Sequence, residues 1–156
     1  MDKREVKIDY TVYTKSCPPE YANICNKAME AVKTAYSIYS GFSVGAAVLM
    51  DNGEIVTGSN QENVAYPSGI CAERTALYYA GARYPEVGVK AIAIVALNKG
   101  EQTDDFVPPC GACRQVMAEV IKRYGKDFDV VMIGKKQTVQ IKASALLPFI
   151  FDFSKQ

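Results

Sequence analysis

Polar and apolar residues alternate over residues 5–12, EVKIDYTV, and put Val6, Ile8, Tyr10 and Val12 on one side, the period of a half-buried strand or extended arm. From Pro19 the period changes. Tyr21, Ile24, Cys25, Ala28, Val32 and Ala35 recur at three-to-four spacing opposite a polar face, which predicts an amphipathic helix with Pro18 and Pro19 in its first turn. Next, the runs FSVGAAVLM and EIVTGSN flank Asp51-Asn52-Gly53 and predict a hairpin; Gly45, Ala46 and Ala47 keep its first strand bare enough for a helix or ligand to approach closely. After a loop at residues 66–69, residues 71–83 (CAERTALYYAGAR) read as a helix apolar nearly all round, hence buried. Residues 89–97 predict a buried strand, NKGEQTDDFVPP a polar loop, and Cys110 onward a second helix with Cys113, Val116, Met117, Val120, Ile121 and Tyr124 on one face. DVVMIG (129–134) is a further strand, KASALLPF a short last helix, and an aromatic tail follows. Strands alternating with helices predict an α/β layered domain around a central sheet, with residues 1–15 as an arm or strand and 16–156 as one domain.

The balance of charge narrows the partners. Eighteen basic against 17 acidic side chains leave +1, so no broad field favours nucleic acid or an anionic membrane, and the expected partner is small or neutral. The start, MDKREVKIDY, has charges with no apolar signal core behind them, and no stretch approaches the roughly 20 apolar residues of a membrane helix, so a soluble, cytoplasmic protein is expected. Five cysteines, an odd number, in a chain of 156 residues argue for a reducing compartment and for thiols used as ligands or packing.

Those thiols carry the candidate chemistry. Pro109-Cys110-Gly111-Ala112-Cys113 can turn two sulfurs toward one ion when the second lies in a helix's first turn, but a lone C-x-x-C is weak evidence. Cys71 opens the other predicted helix, and two helix N-termini that meet would gather Cys71, Cys110 and Cys113 as three metal ligands. With no histidine in the chain, the fourth tetrahedral position is left for water, the arrangement of a catalytic rather than a structural zinc. Glu73, two residues past the first ligand, is then the general acid/base. Cys71-Ala72-Glu73 and PCGAC fit the zinc deaminase signature in an all-cysteine form, with the glutamate not a ligand.

YSIYSGFSVGAAV, NQENVAYPSGICAERTA and PPCGACRQV resemble the small free-nucleoside cytidine deaminases, and the likeness spans about residues 20–148. It implies a three-layer α/β/α fold with a central mixed five-stranded sheet, one Zn2+ per subunit and a homotetramer. The implied reaction is hydrolysis of cytidine and deoxycytidine to uridine and deoxyuridine with release of ammonia, in pyrimidine salvage. The resemblance gives Phe42 to the base, Asn60 and Glu62 to the ribose 3′-hydroxyl, and the backbone of Ala72 and the loop near Pro108 to the base edge. Tyr39 and Tyr66 border the pocket or a subunit contact. Three thiolates outweigh the charge of Zn2+, so the resemblance gives Arg74 and Gln115 the role of hydrogen-bonding the sulfurs; the blander reading makes Arg74 a solvated helix charge. Phe151 occupies the place of a C-terminal aromatic that reaches a partner's pocket, but FIFDFSKQ departs from the family's Phe-Gly-Pro, so Phe149, Phe153 or simple tail packing are alternatives. Rival readings are a deaminase of another aminopyrimidine, such as an antibiotic nucleoside or a nucleotide, and a noncatalytic zinc or redox module built on Cys110 and Cys113.

Overall fold

Strand β4 (Val89–Asn98) is the axis of the molecule in the computed structural model, which describes residues 1–152. Its side chains alternate between two apolar layers: Ile92 and Ile94 enter one core, Ala91, Ala93 and Val95 the other, and all five are buried. A strand apolar on both faces needs a cover on each. Helix α1 (Ala22–Ala31) supplies one through Ile24, Cys25 and Ala28, and helices α2 (Ala72–Arg83) and α3 (Gly111–Tyr124) supply the other through Ala76, Leu77, Ala80 and Met117. The expected three layers are present.

Strand β2 (Phe42–Met50) runs antiparallel to β4 and returns through the Asp51–Gly53 turn as β3 (Ile55–Ser59), with Gly53 at φ 88°. On the other side β4 pairs in parallel with β6 (Asp129–Ile133), the connection passing over α3, and β6 pairs antiparallel with β7 (Gln137–Lys142). These are the five strands the resemblance implies, but among the described residues the sheet has seven. Strand β5 (Glu101–Gln102), in the segment read as a polar loop, folds back on β4 through Lys99 and Gly100, both at positive φ as a two-residue hairpin turn requires. The N-terminal arm provides β1 (Tyr10–Thr14), antiparallel to β7 at the end of the sheet. Pairing starts at Tyr10 rather than residue 5 because Tyr10 lies opposite Ile141, after which β7 gives way to a 3-10 turn over Ala143–Leu146.

Two further expectations change. The first turn of the predicted α1 is a 3-10 turn, Pro19–Tyr21, and its last is another, Val32–Thr34. Helix α2 is buried along one face only, since Tyr78 and Tyr79 are exposed. Among the described residues no helix is long and apolar enough to cross a membrane.

Candidate active site

Helices α2 and α3 begin at the same place, where Cys71 and Cys110 meet. Cys71 is the N-cap of α2 and Cys110 the N-cap of α3, both with extended backbone, and Cys113 lies in the first turn of α3. Two local features fix this convergence. Gly58 on β3 lets α2 lie directly on the strand: a Cβ there would stand 2.6 Å from the Ala76 nitrogen and 2.9 Å from the Ala72 carbonyl oxygen. Arg114 clamps the other approach, donating from Nε to the Pro109 carbonyl at 2.8 Å and from Nη1 to the Leu146 carbonyl at 3.1 Å.

The sulfurs of Cys71 and Cys110 lie 3.8 Å apart and those of Cys110 and Cys113 3.5 Å, and all three fall within 4.8 Å of one another. Ligands about 2.3 Å from a tetrahedral zinc stand about 3.8 Å apart, so the trio has the separations that ion demands. Among the described residues no other metal-ligating side chain joins this group, and Cys17 and Cys25 belong to the layer on the opposite face of the sheet. Among the described residues the protein would thus offer a tetrahedral ion three ligands.

The charge around the trio is uneven. The Cys71 thiol is drawn down to about 5 by a hydrogen bond with Cys113, and further by Arg74 and Cys110, against the opposing effect of burial. Arg74 Nη2 donates to the Cys71 sulfur at 3.6 Å, while its Nε is buried without a partner among the described residues. Both helix N-termini add partial positive charge. Glu73 is 5% exposed, and burial pushes its carboxyl above the usual carboxylate range, with the Cys71 charge adding to the rise. A carboxyl whose proton affinity is raised by burial is suited to taking up a proton.

In front of the sulfurs lies a cleft of about 660 Å³ bordered by Phe42, Asn60, Glu62, Tyr66, Glu73 and Cys110. Asn60 extends the β2–β3 ladder with its side chain: Oδ1 accepts from the Val44 amide at 2.7 Å and Nδ2 donates to the Phe42 carbonyl at 2.9 Å. Glu62 accepts from the Ser40 hydroxyl and from the Tyr39 and Ser40 amides at 2.9 and 3.3 Å; the Ser40 bond and those amides hold its carboxyl below the usual range, hence charged.

A family profile described as the cytidine and deoxycytidylate deaminase zinc-binding region matches residues 19–124, a stretch that contains all three sulfurs and Glu73. The chain belongs to the cytidine and deoxycytidylate deaminase family. A cytidine deaminase of Halalkalibacterium halodurans is 45% identical over 130 residues, which are 82% of this chain and 91% of that one. Among solved structures, a cytidine deaminase from Burkholderia pseudomallei superposes with a TM-score of 0.70 at 38% identity, over 83% of this chain and 97% of that one. Another, from Mycobacterium tuberculosis, gives 0.68 at 30% identity, over 87% and 100%. The deaminase family's metal is zinc, and the three-sulfur set here suits it.

Within the deaminase cleft most residues singled out from the sequence meet. Phe42, Asn60, Glu62, Tyr66, Cys71, Glu73, Arg74 and Cys110 all border it, and the rings of Tyr39 and Tyr66 meet edge to face with centroids 6.3 Å apart. Cys113 and Ala72 are fully buried behind it. Two residues stand elsewhere. The Gln115 amide donates to the Phe151 carbonyl at 3.1 Å, because two residues past Cys113 its side chain leaves another flank of α3, into the groove between α2 and α3. Phe151 itself is 64% exposed and does not border this chain's cleft; Phe153 lies outside the described residues. Sequence reasoning passed over Arg114 and Ser40. Arg114 follows a ligand cysteine directly, a place from which a long side chain can reach the preceding loop, and Ser40 immediately precedes the Gly41-Phe42 turn that faces Glu62.

Proposed function

We propose that the protein hydrolyses cytidine and deoxycytidine to uridine and deoxyuridine, one water entering and one ammonia leaving, in pyrimidine salvage. The observation that carries this reading is the buried Glu73 beside the three sulfurs, at the floor of a cleft of nucleoside size. Cys71, Cys110 and Cys113 would hold zinc, which when bound supplies a Lewis acid that makes water nucleophilic near neutral pH. Glu73 receives the first proton that water gives up and passes it to N3 of the ring; it then takes the second proton from the new C4 hydroxyl, which becomes the carbonyl, and delivers it to the amino group departing as ammonia. Its raised proton affinity suits both transfers. Arg74 offsets the excess negative charge of three thiolates through its bond to Cys71.

Phe42 packs against the base, on a strand segment that Asn60 holds in register. Asn60 keeps one amide hydrogen and one lone pair for the sugar, and Glu62 keeps carboxylate lone pairs for the 3′-hydroxyl. A charged Glu62 also repels a phosphorylated sugar, which favours nucleosides over nucleotides. The buried Ala72 brings its backbone toward the base edge. Exposed Tyr78 and Tyr79 on α2, beside the apolar groove between α2 and α3, support assembly as a homotetramer, with exposed Phe151 directed to a neighbouring subunit's cleft. Five free cysteines suit the reducing cytoplasm. Incubation of the zinc-loaded protein with cytidine, deoxycytidine and their 5′-monophosphates, following ammonia, tests the reading: both nucleosides should turn over and the monophosphates should not, and absence of ammonia from both nucleosides would overturn it.

A further inference from the structure

At the edge of the sheet farthest from the cleft, the arm presents a surface the deaminase chemistry does not use. Residues 1–9 run on from β1 past the end of β7 with no partner strand, and β1 is itself the terminal strand, its outer edge open among the described residues. The apolar row that alternation predicted to be half-buried is exposed throughout: Val6 57%, Ile8 45%, Tyr10 60% and Val12 47%. Tyr10 and Val12 stand opposite Ile141 and Val139, both buried, so the row continues the apolar face of β7 outward into solvent. An open edge with an apolar row is a surface that another strand would cover.

The charges of the arm specify which strand. Between the apolar positions lie Lys3, Glu5, Lys7 and Asp9. Antiparallel pairing of this segment with itself about a two-fold axis at Val6 sets Lys3 opposite Asp9 and Glu5 opposite Lys7, and the symmetry repeats each pair. Every charge on that face meets its opposite, while Val6 meets Val6 and Ile8 meets Arg4 on the other. Neighbouring registers fail. An axis on Glu5 opposes Glu5 to itself and Lys3 to Lys7; an axis on Lys7 opposes Lys7 to itself and Glu5 to Asp9. An axis on Ile8 keeps only the Lys7–Asp9 pairs. Within one chain the arm's own ion pairs, Arg4 to Asp2 at 3.1 Å and Lys7 to Asp9 at 3.2 Å, are almost wholly exposed and leave these charges available.

We propose that residues 2–10 pair antiparallel with the same residues of a second copy of the chain about a two-fold axis at Val6, joining two sheets edge to edge. No residue of the arm borders the cleft, so this contact is independent of the catalytic reading. Two charge-reversed forms of the full chain test it: Lys3→Glu with Lys7→Glu makes the charged face wholly acidic, and Glu5→Lys with Asp9→Lys makes it wholly basic. Sedimentation mass against concentration at low salt should move, for each form alone, to association at roughly tenfold higher concentration than the native chain. An equimolar mixture should return to the native curve, and ammonia release from cytidine should match the native chain in both forms. The proposal is overturned if the three curves superimpose, or if the mixture associates no better than its components.

Discussion

Arg114 ties the loop that delivers Cys110 to the 3-10 turn at Ala143–Leu146 through two backbone carbonyls, Pro109 and Leu146. Neither carbonyl accepts from another donor among the described residues, so Arg114→Ala leaves two acceptors without a protein donor there at the foot of the metal site. The expected cost is about 1–3 kcal/mol of stability, read by denaturant midpoint, together with about a 10- to 100-fold loss in zinc affinity, read by competition with a chelator. An unchanged zinc affinity would remove Arg114 from the site's support. The position of Glu73 beside the sulfurs was legible in the sequence because it lies two residues past Cys71, with PCGAC downstream. Arg114 was not, since a basic residue in a helix's first turns reads equally well as a solvated charge. Gln115 was misplaced for a related reason: sequence proximity to a ligand does not say which side of the helix a side chain takes.

Bare positions on β2 and β3 decide how closely the helical layers approach. A Cβ at Gly45 would meet the Ala28 carbonyl oxygen at 2.3 Å and the Val32 nitrogen at 2.5 Å, so α1 rests its backbone directly on the strand that carries Phe42. These are backbone atoms that cannot swing aside. Gly45→Ala should therefore destabilise the fold by about 1–3 kcal/mol, and because the strain enters the β2 strand it should raise KM for cytidine more than it lowers kcat. Equal stability of the two proteins in a urea titration would contradict the close packing. The sequence predicted that something approaches this strand, and periodicity located α1, α2, α3 and the central strands within a few residues. It passed over β7, whose QTVQIK is short and half polar and becomes a strand through its pairing with β6 and β1. It passed over β5 because two residues carry no period.

Across the whole molecule, Asp129 ties the sheet to the α1 layer: it accepts from Tyr21 Oη at 2.6 Å, just before α1, and from Lys142 Nζ at 2.8 Å, at the end of β7. Burial raises its proton affinity, but the hydrogen bonds from Lys142 and Tyr21 outweigh that and hold the carboxyl below its usual range. A carboxyl depressed in the folded state stabilises the fold fully above its unfolded value of about 3.9, and that stability is lost as pH falls through the folded value. Asp129→Asn should thus cost on the order of 1–2 kcal/mol at neutral pH, and the gap to the native protein should close in acid below about pH 4. A gap independent of pH would contradict the linkage. At this scale the layered architecture and the meeting of two helix N-termini were legible from alternation and cysteine spacing. The arm's end point was not, because where β7 stops decides it. Glu73, buried beside Cys71, Cys110 and Cys113, is the proposed proton carrier. The most direct measurement is cytidine turnover and zinc content on one preparation of Glu73→Gln: zinc should remain at one ion per chain while turnover falls by at least about 100-fold. Turnover near the native rate with zinc in place would contradict the account.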